Sequence, residues 1–405
     1  MDDNNTESVS LKRSLSFALV TFYGLGTILG AGIYALVGKV AGHAGIFTPL
    51  AFLLASFIAF LTAISYAELS SRFPLSAGEA YYVRRAFGHD WLSGLIGWMV
   101  VFTGVVSAAA IAHGFVGYLR LFISIPSPLA MIGLIILLGA VAIWGIIESA
   151  MMAMLMTLIE IGGLLLVIYV AGNSLQRLPE VWHQMRFSLS MAGSSGVLAG
   201  AFIAFYAYIG FEDMVNIAEE IKHPEKTLPY AIFAALGIGT LLYVLVALVA
   251  ILALPLEAFA QSEAPLALIF QLRGYSPSII GMISLIAIVN GALVQIIMAS
   301  RVIYGMAKQH NAPVLFATLY RRTQTPLIAT LFVMAVIVMF ALLFPIEMLA
   351  KITSAIILCI FIMMHLSLIA IKKRKEVQPN AVSYPILFPI AGAFLSALFL
   401  ILQFL

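Results

Sequence analysis

Apolar residues fall in long unbroken runs separated by short polar joints, and the runs do not alternate in polarity at period two. About 20 mostly apolar residues cross a hydrocarbon core as a helix. On that measure eleven runs predict eleven membrane helices, near residues 14–38, 46–69, 91–121, 129–147, 151–172, 194–217, 228–254, 277–306, 326–344, 348–371 and 384–405. A transmembrane barrel would instead show segments of about ten residues with alternating polarity. The fold class is therefore expected to be an all-α polytopic membrane protein. The longest joints, near 70–90, 173–193, 255–276 and 307–325, leave no room for a separate soluble domain, so residues 1–405 read as one transmembrane unit.

Composition sharpens this. Of 405 residues, 63% are hydrophobic and 10% charged. A soluble domain carries about 25% charged residues, so a water-soluble enzyme is excluded, as are a disordered chain and a disulfide scaffold. The one cysteine, Cys359, cannot form an intrachain disulfide. Met1 to Ser10 are polar and acidic, unlike a cleavable signal peptide. A net charge of +3 gives no argument for nucleic acid.

The placement of charge is more informative. Basic joints face the cytoplasm. A cytoplasmic N-terminus puts 15 of the 21 basic residues inside: Lys12, Arg13, Arg72, Arg84, Arg85, Lys222, Lys226, Arg301, Lys308, Arg321, Arg322, Lys372, Lys373, Arg374 and Lys375. Lys39, Arg120, Arg177, Arg186, Arg273 and Lys351 fall outside, and so does the C-terminus. Compact loops without long tails point to the inner (plasma) membrane of a bacterium. Trp91, Trp98, Trp144 and Trp182 read as interface anchors or packing residues. His113 and His365 have no second ligand at i+3 or i+4, so they read as buried, hydrogen-bonded side chains rather than metal ligands.

Two runs are unusual. The first carries Gly24, Gly26, Gly30, Gly32 and Gly38, densest at Leu29-Gly30-Ala31-Gly32-Ile33. Glycine costs about 1 kcal/mol against alanine in a helix interior. Close helix packing by small residues would also account for it. The sixth run places Phe205-Tyr206-Ala207-Tyr208-Ile209-Gly210-Phe211-Glu212 in one span. Irregular segments at matching positions of two halves indicate an inverted-repeat transporter. Residues 14–172 would form one five-helix repeat and 194–371 the other, with 384–405 peripheral. A broken helix exposes N–H groups that suit a carboxylate and carbonyls that suit an ammonium, so it suits an amino-acid zwitterion.

Four stretches carry a specific resemblance: GLGTILGAGIYALVG at 24–38, SYAELSSRFPLSAGEAYYVRRAFG at 65–88, FYAYIGFEDMVNIAEEIKHPEKTLPYAI at 205–232, and Ala299-Ser300-Arg301. In order and spacing the chain resembles the amino acid–polyamine–organocation superfamily of permeases, near the cationic amino-acid transporter branch. The resemblance implies a five-plus-five inverted-repeat, leucine-transporter-like fold working by alternating access, with no cofactor. It implies that Gly30, Ala31 and Gly32 bind the substrate carboxylate and that Ile28 and Leu29 offer carbonyls to the ammonium. Tyr206 would cover the substrate, Ala207, Ile209 and Gly210 would line the second break, and Glu212 would be linked to gating.

An acid at a helix centre costs about 2.5–3.5 kcal/mol on insertion scales and needs a reason. Glu160 lies in the fifth run, where many proton-coupled relatives carry a lysine. Three readings stay open: a proton carrier, a cation ligand helped by Ser300 and carbonyls near Gly26, or a structural carboxyl. Asp213 adjoins Glu212, and side chains one residue apart on a helix diverge, so one of the two is expected at the site. Glu68 reads as an interfacial anchor, and Glu219, Glu220, Lys222, Glu225 and Lys226 as a solvated loop. Thr103, on the third helix, should pass near the substrate side chain. No acid sits there, which favours a neutral amino acid carried with a proton, or alternatively with sodium, across the lipid bilayer. An exchanger of amino acids or polyamines, a transporter-like sensor and a channel are the other readings. An intramembrane aspartyl protease would need two aspartates inside spans, and only Asp213 qualifies.

Overall fold

The computed structural model describes residues 13–402 apart from 77, 121, 124, 181–193, 263, 375–377 and 379–380. Lys12, Trp182, Arg186 and Lys375 lie outside the described residues. Fifteen α-helices follow one another among the described residues. They are α1 (Phe17–Leu29), α2 (Ala31–Ala44), α3 (Thr48–Arg72), α4 (Gly78–Phe87), α5 (Asp90–Leu119), α6 (Ser127–Trp144), α7 (Ile146–Ala171) and α8 (Ser194–Tyr206). After them come α9 (Pro224–Ala253), α10 (Leu256–Gln261), α11 (Pro265–Leu272), α12 (Pro277–Lys308), α13 (Leu327–Leu343), α14 (Ile346–Lys373) and α15 (Leu387–Leu402).

Among the described residues every predicted run contains helix. Among the described residues nine helical stretches are long and apolar enough to cross a membrane, and α13 and α15 are shorter apolar helices. The punctuation is local. Ser16 caps α1, accepting from the Leu19 amide at 3.4 Å. Proline opens α3, α9 and α12, where its missing N–H costs nothing. The spans show little polar-to-apolar sidedness because lipid and protein core are both apolar. Burial separates them instead. The hydrophobic window of α7 is 33% buried, with Leu155, Leu158, Ile159 and Leu165 exposed toward lipid, whereas that of α12 is 67% buried. The long helices α5 and α12 pack against each other, and α1 packs against α7, α9 and α12.

The first run is two helices, interrupted at Gly30. The sixth is also interrupted: α8 stops at Tyr206 and a tighter 3₁₀ segment, Phe211–Glu220, continues it. The alternation of spans gathers the basic joints at one end of the molecule, here termed the basic end.

Glu68, expected as an interfacial anchor, is fully buried there and accepts from Arg72 (2.7 Å), Lys372 (2.6 Å) and the Tyr384 amide (2.9 Å). One carboxylate thus joins α3, α14 and the approach to α15. Helix α15 packs on α14 and α3, with Gly392 against the His365 ring. That ring bonds Ser65 Oγ at 2.8 Å and Thr62 Oγ1 at 3.2 Å. His113 meets the Phe344 carbonyl at 3.1 Å.

Candidate functional site

The two interruptions lie side by side. Gly32, in the first turn of α2, packs so closely on Ala207 that a Cβ there would sit 2.8 Å from the Ala207 Cα. Gly210 closes the second interruption at φ 126°, a left-handed conformation that glycine adopts without strain. Its own Cβ position is filled by the Thr27 backbone and side chain. Small residues at both breaks therefore let the two chains touch mid-molecule.

A helix break leaves carbonyls and amides that must find partners away from water. Tyr243 of α9 reaches both breaks: its single O–H is shared between the Ile28 carbonyl and, at 3.0 Å, the Ala207 carbonyl. Nothing in the apolar pattern around Tyr243 signals this role. At Ile28, one lone pair of the carbonyl expected to meet an ammonium is engaged by Tyr243.

A cavity of ≈ 50 Å³ opens between the breaks, lined by Thr27, Ile28, Gly30, Gly32, Tyr206, Ala207 and Ile209, with Ser107 and Ile111 of α5, Gly291 and Gln295 of α12, and Thr353 of α14. It brings together most of the residues expected to bind substrate, and its lining carries no charged side chain. Leu29 is buried at the end of α1 and Ala31 opens α2. The amide end of α2 points its dipole into the interruption, as an anion site requires.

A smaller space of ≈ 10 Å³ adjoins it, sharing Ser107, Ile209, Gln295 and Thr353. Thr103 lines this second space, as do Glu79, Glu212 and Asp213. Both neighbouring acids therefore face the site region, against expectation. The 3₁₀ winding of 211–220 and the reach of Gln295 explain it: Gln295 Nε2 donates to Asp213 at 2.6 Å, while Glu212 accepts the Gly210 amide at 2.9 Å. Glu79 comes from α4, outside the membrane spans, where burial pushes its carboxyl up to about 7. In sequence it looks like one more polar residue of a joint.

Glu160 is fully buried on α7. Its carboxylate accepts from Asn290 Nδ2 of α12 at 2.9 Å, and the same amide donates to Thr157 Oγ1 at 3.0 Å. Thr157 donates to the Phe22 carbonyl of α1 at 3.2 Å, and Tyr34 of α2 donates to the Glu160 carbonyl at 2.8 Å. Glu160 Oε2 and Asn290 Oδ1 have no partner. The acid thus sits where α1, α2, α7 and α12 meet, beside the first break. Ser300 is not part of this group. Ten residues along α12 correspond to roughly 15 Å, and Ser300 instead donates to Ile297 and accepts from Arg301.

At the basic end Glu220, expected in a solvated loop, is fully buried and pairs with the equally buried Arg301 at 3.4 Å. Its backbone carbonyl accepts the Ser14 and Leu15 amides at 2.9 and 3.0 Å, and Lys222 N returns a bond to Leu15. A short parallel bridge between Leu15 and Ile221 thus joins the lead-in of α1 to the end of 211–220.

Comparison with known proteins places this architecture. The family model described as amino acid permease matches residues 15–405. The chain belongs to the amino acid permease family. Within the amino acid–polyamine–organocation superfamily, the permease is 28% identical over 97% of its length to the branched-chain amino acid permease BcaP of Bacillus subtilis, covering 88% of that protein. It is 29% identical over 94% of its length to cationic amino acid transporter 4 of Mus musculus, of which it spans only 63%. It is 30% identical over 79% of its length to the methylthioribose transporter of Bacillus subtilis, covering 73% of that protein. Among solved structures, MhsT in complex with L-phenylalanine superposes with a TM-score of 0.64 at 16% identity, covering 97% of this permease and 99% of that chain. The permease thus has the five-plus-five inverted-repeat, leucine-transporter-like fold and is an integral membrane transporter.

Proposed function

We propose that the permease is a secondary active transporter that takes up a neutral amino acid together with a proton by alternating access. The observation that carries this reading is the uncharged wall of the cavity between the two breaks. A zwitterion brings its own pair of charges. Backbone amides at Gly30, Ala31 and Gly32 suit its carboxylate, and the Ile28 and Leu29 carbonyls suit its ammonium. Ile111 and Ile209 offer an apolar wall to the side chain, Tyr206 flanks the cavity, and Thr103 extends it. The name of the branched-chain relative agrees with such a substrate.

Glu160 is the coupling group of this proposal. It is sealed from water, and a proton on its unpartnered oxygen would add a donor to a group whose two unpartnered atoms, Glu160 Oε2 and Asn290 Oδ1, are both acceptors. Sodium in the same place would need further oxygen ligands. In this proposal the repeats are residues 14–172 and 194–371, 384–405 lies outside them, and the basic end faces the cytoplasm of a bacterial inner membrane. A second reading, a cationic amino acid, is favoured by Glu212 and Asp213 in the adjoining space and by the names of the cationic relatives.

The test is uptake by proteoliposomes of a panel of neutral and basic amino acids, under an inward proton gradient with and without sodium. The proposal expects concentrative uptake of a neutral amino acid that an uncoupler abolishes and sodium does not change. Glu160→Gln should retain counterflow but lose accumulation. Exchange without net uptake would overturn proton symport, and uptake restricted to lysine or arginine would overturn the neutral substrate.

A further inference from the structure

Helix α4 lies at the basic end between two spans, with Arg84 and Arg85 turned outward and Glu79 turned in, 1% exposed. It is docked onto the 211–220 segment by its leading backbone: the Ser76 amide donates to Glu219 at 3.1 Å and the Gly78 amide to Asn216 at 3.2 Å. Asn216 also donates to Glu79 Oε1 at 3.4 Å, and Glu79 Oε2 has no partner. Glu79, Glu212 and Asp213 line one space of ≈ 10 Å³. That is room for about one water.

Three carboxyls around so small a space cannot all be ionised without a compensating cation. The charged groups of the surrounding elements are engaged elsewhere. Arg84 pairs with Asp90 of α5, and Arg72 of α3 and Lys372 of α14 pair with Glu68. Arg301 of α12 pairs with Glu220, Arg374 bonds the Arg85 carbonyl, Lys308 lies over the Tyr304 ring, and Glu219 is held by Ser76. Tyr23 of α1, Tyr66 of α3 and Tyr82 of α4 itself also face the cluster, and none supplies a positive charge. Protons must therefore reside in this cluster. Of its three carboxyls only Glu79 stands outside the candidate spans, on a short helix packed on α5 and α14. Through Ser107, Ile209, Gln295 and Thr353 the same space abuts the cavity between the breaks.

We propose that Glu79 is a proton-exchange residue that passes protons between the Glu212–Asp213 pair and the water at the basic end. In the transfer an O–H bond of a Glu212 or Asp213 carboxylic acid breaks and an O–H bond to Glu79 forms, through one bridging water. Glu79 then releases that proton to bulk water. Charge moves but nothing is oxidised or reduced. The inference goes beyond the symport reading and rests on it only for its consequence in transport.

Infrared difference spectra of the full-length protein in lipid test it without any substrate. A carboxylic C=O band of the wild type should titrate around neutral pH, and the other buried carboxyl bands should shift quickly on transfer to D₂O. Glu79→Gln should lose the titrating band and slow the D₂O shift of the remaining ones, and Glu79→Asp should restore both. An unchanged titrating band and unchanged exchange in Glu79→Gln would overturn the proposal. If Glu79→Gln does not fold, Glu79→Asp decides, because a titrating band that keeps both its frequency and its midpoint cannot belong to residue 79. Loss of all transport in wild-type proteoliposomes would sink the symport reading and leave this spectroscopic result standing.

Discussion

Gly30 and Gly32 flank one interruption, yet their surroundings predict unequal responses to a methyl group. A Cβ on Gly32 would lie 2.8 Å from the Ala207 Cα and 2.9 Å from its Cβ. Carbon atoms pack at about 3.5–4.0 Å, so one chain must withdraw by roughly 0.6 Å or more. Neither obstructing atom is at the end of a flexible side chain. Overpacking of this kind costs about 1–3 kcal/mol. The helix gains back about 1 kcal/mol from replacing glycine by alanine, which leaves a net loss of up to ~2 kcal/mol. At Gly30 the nearest atoms to a Cβ are 3.7 and 3.8 Å away, which is ordinary contact. Gly30→Ala therefore lacks the packing clash of Gly32→Ala and should cost less. Cys359, the only cysteine, reports unfolding through a thiol-reactive fluorophore. Gly32→Ala should melt below wild type without substrate, and below Gly30→Ala. Equal melting of the two variants, or the reverse order, would refute the reasoning that the breaks meet at Gly32.

Tyr243→Phe removes the donor to the Ile28 and Ala207 carbonyls, so it should lower stability by about 1–3 kcal/mol. The apparent melting temperature and the affinity for the transported amino acid should both fall. Arg301→Met strands Glu220 in the core and should cost about 3–5 kcal/mol, whereas adding Glu220→Leu should recover most of it in the same melting assay. Glu79 binds its proton more tightly folded than unfolded, its carboxyl moving from an ordinary 4.5 to about 7. Its contribution is fully present below pH 4.5 and is lost as pH rises through about 7, a change of about 3 kcal/mol. Melting curves across that window should fall less steeply for Glu79→Gln than for wild type.

The spans were legible in sequence because lipid imposes one simple demand, continuous apolar length. The breaks were legible because they violate it: glycine at 30 and 32, and an acid two residues after Gly210, make no sense in an ordinary membrane helix. Glu160 announced itself for the same reason. The residues that escaped detection do not violate the pattern. Tyr243 sits among apolar residues as any packing tyrosine would, and its role depends on two carbonyls 215 and 36 residues away. Arg301 and Glu220 each look like residues of a basic joint, and only their pairing across 81 residues takes them out of water. Asn290 and Glu79 are similar, since periodicity records which side of a helix is apolar but not which distant partner a polar group meets. The expectation that Glu212 and Asp213 diverge assumed α-helical winding, which the 211–220 segment does not have.

The Leu15–Ile221 bridge has a mechanical consequence. Backbone bonds from Ser14, Leu15 and Lys222 rivet the lower halves of the two broken helices together. If transport by the proposed alternating access opens the basic end, the two halves should swing as one lever, with the Arg301–Glu220 contact as the latch that parts. Spin labels on the two halves would keep a constant separation through the cycle, while a label pair reaching from either half to α12 would lengthen.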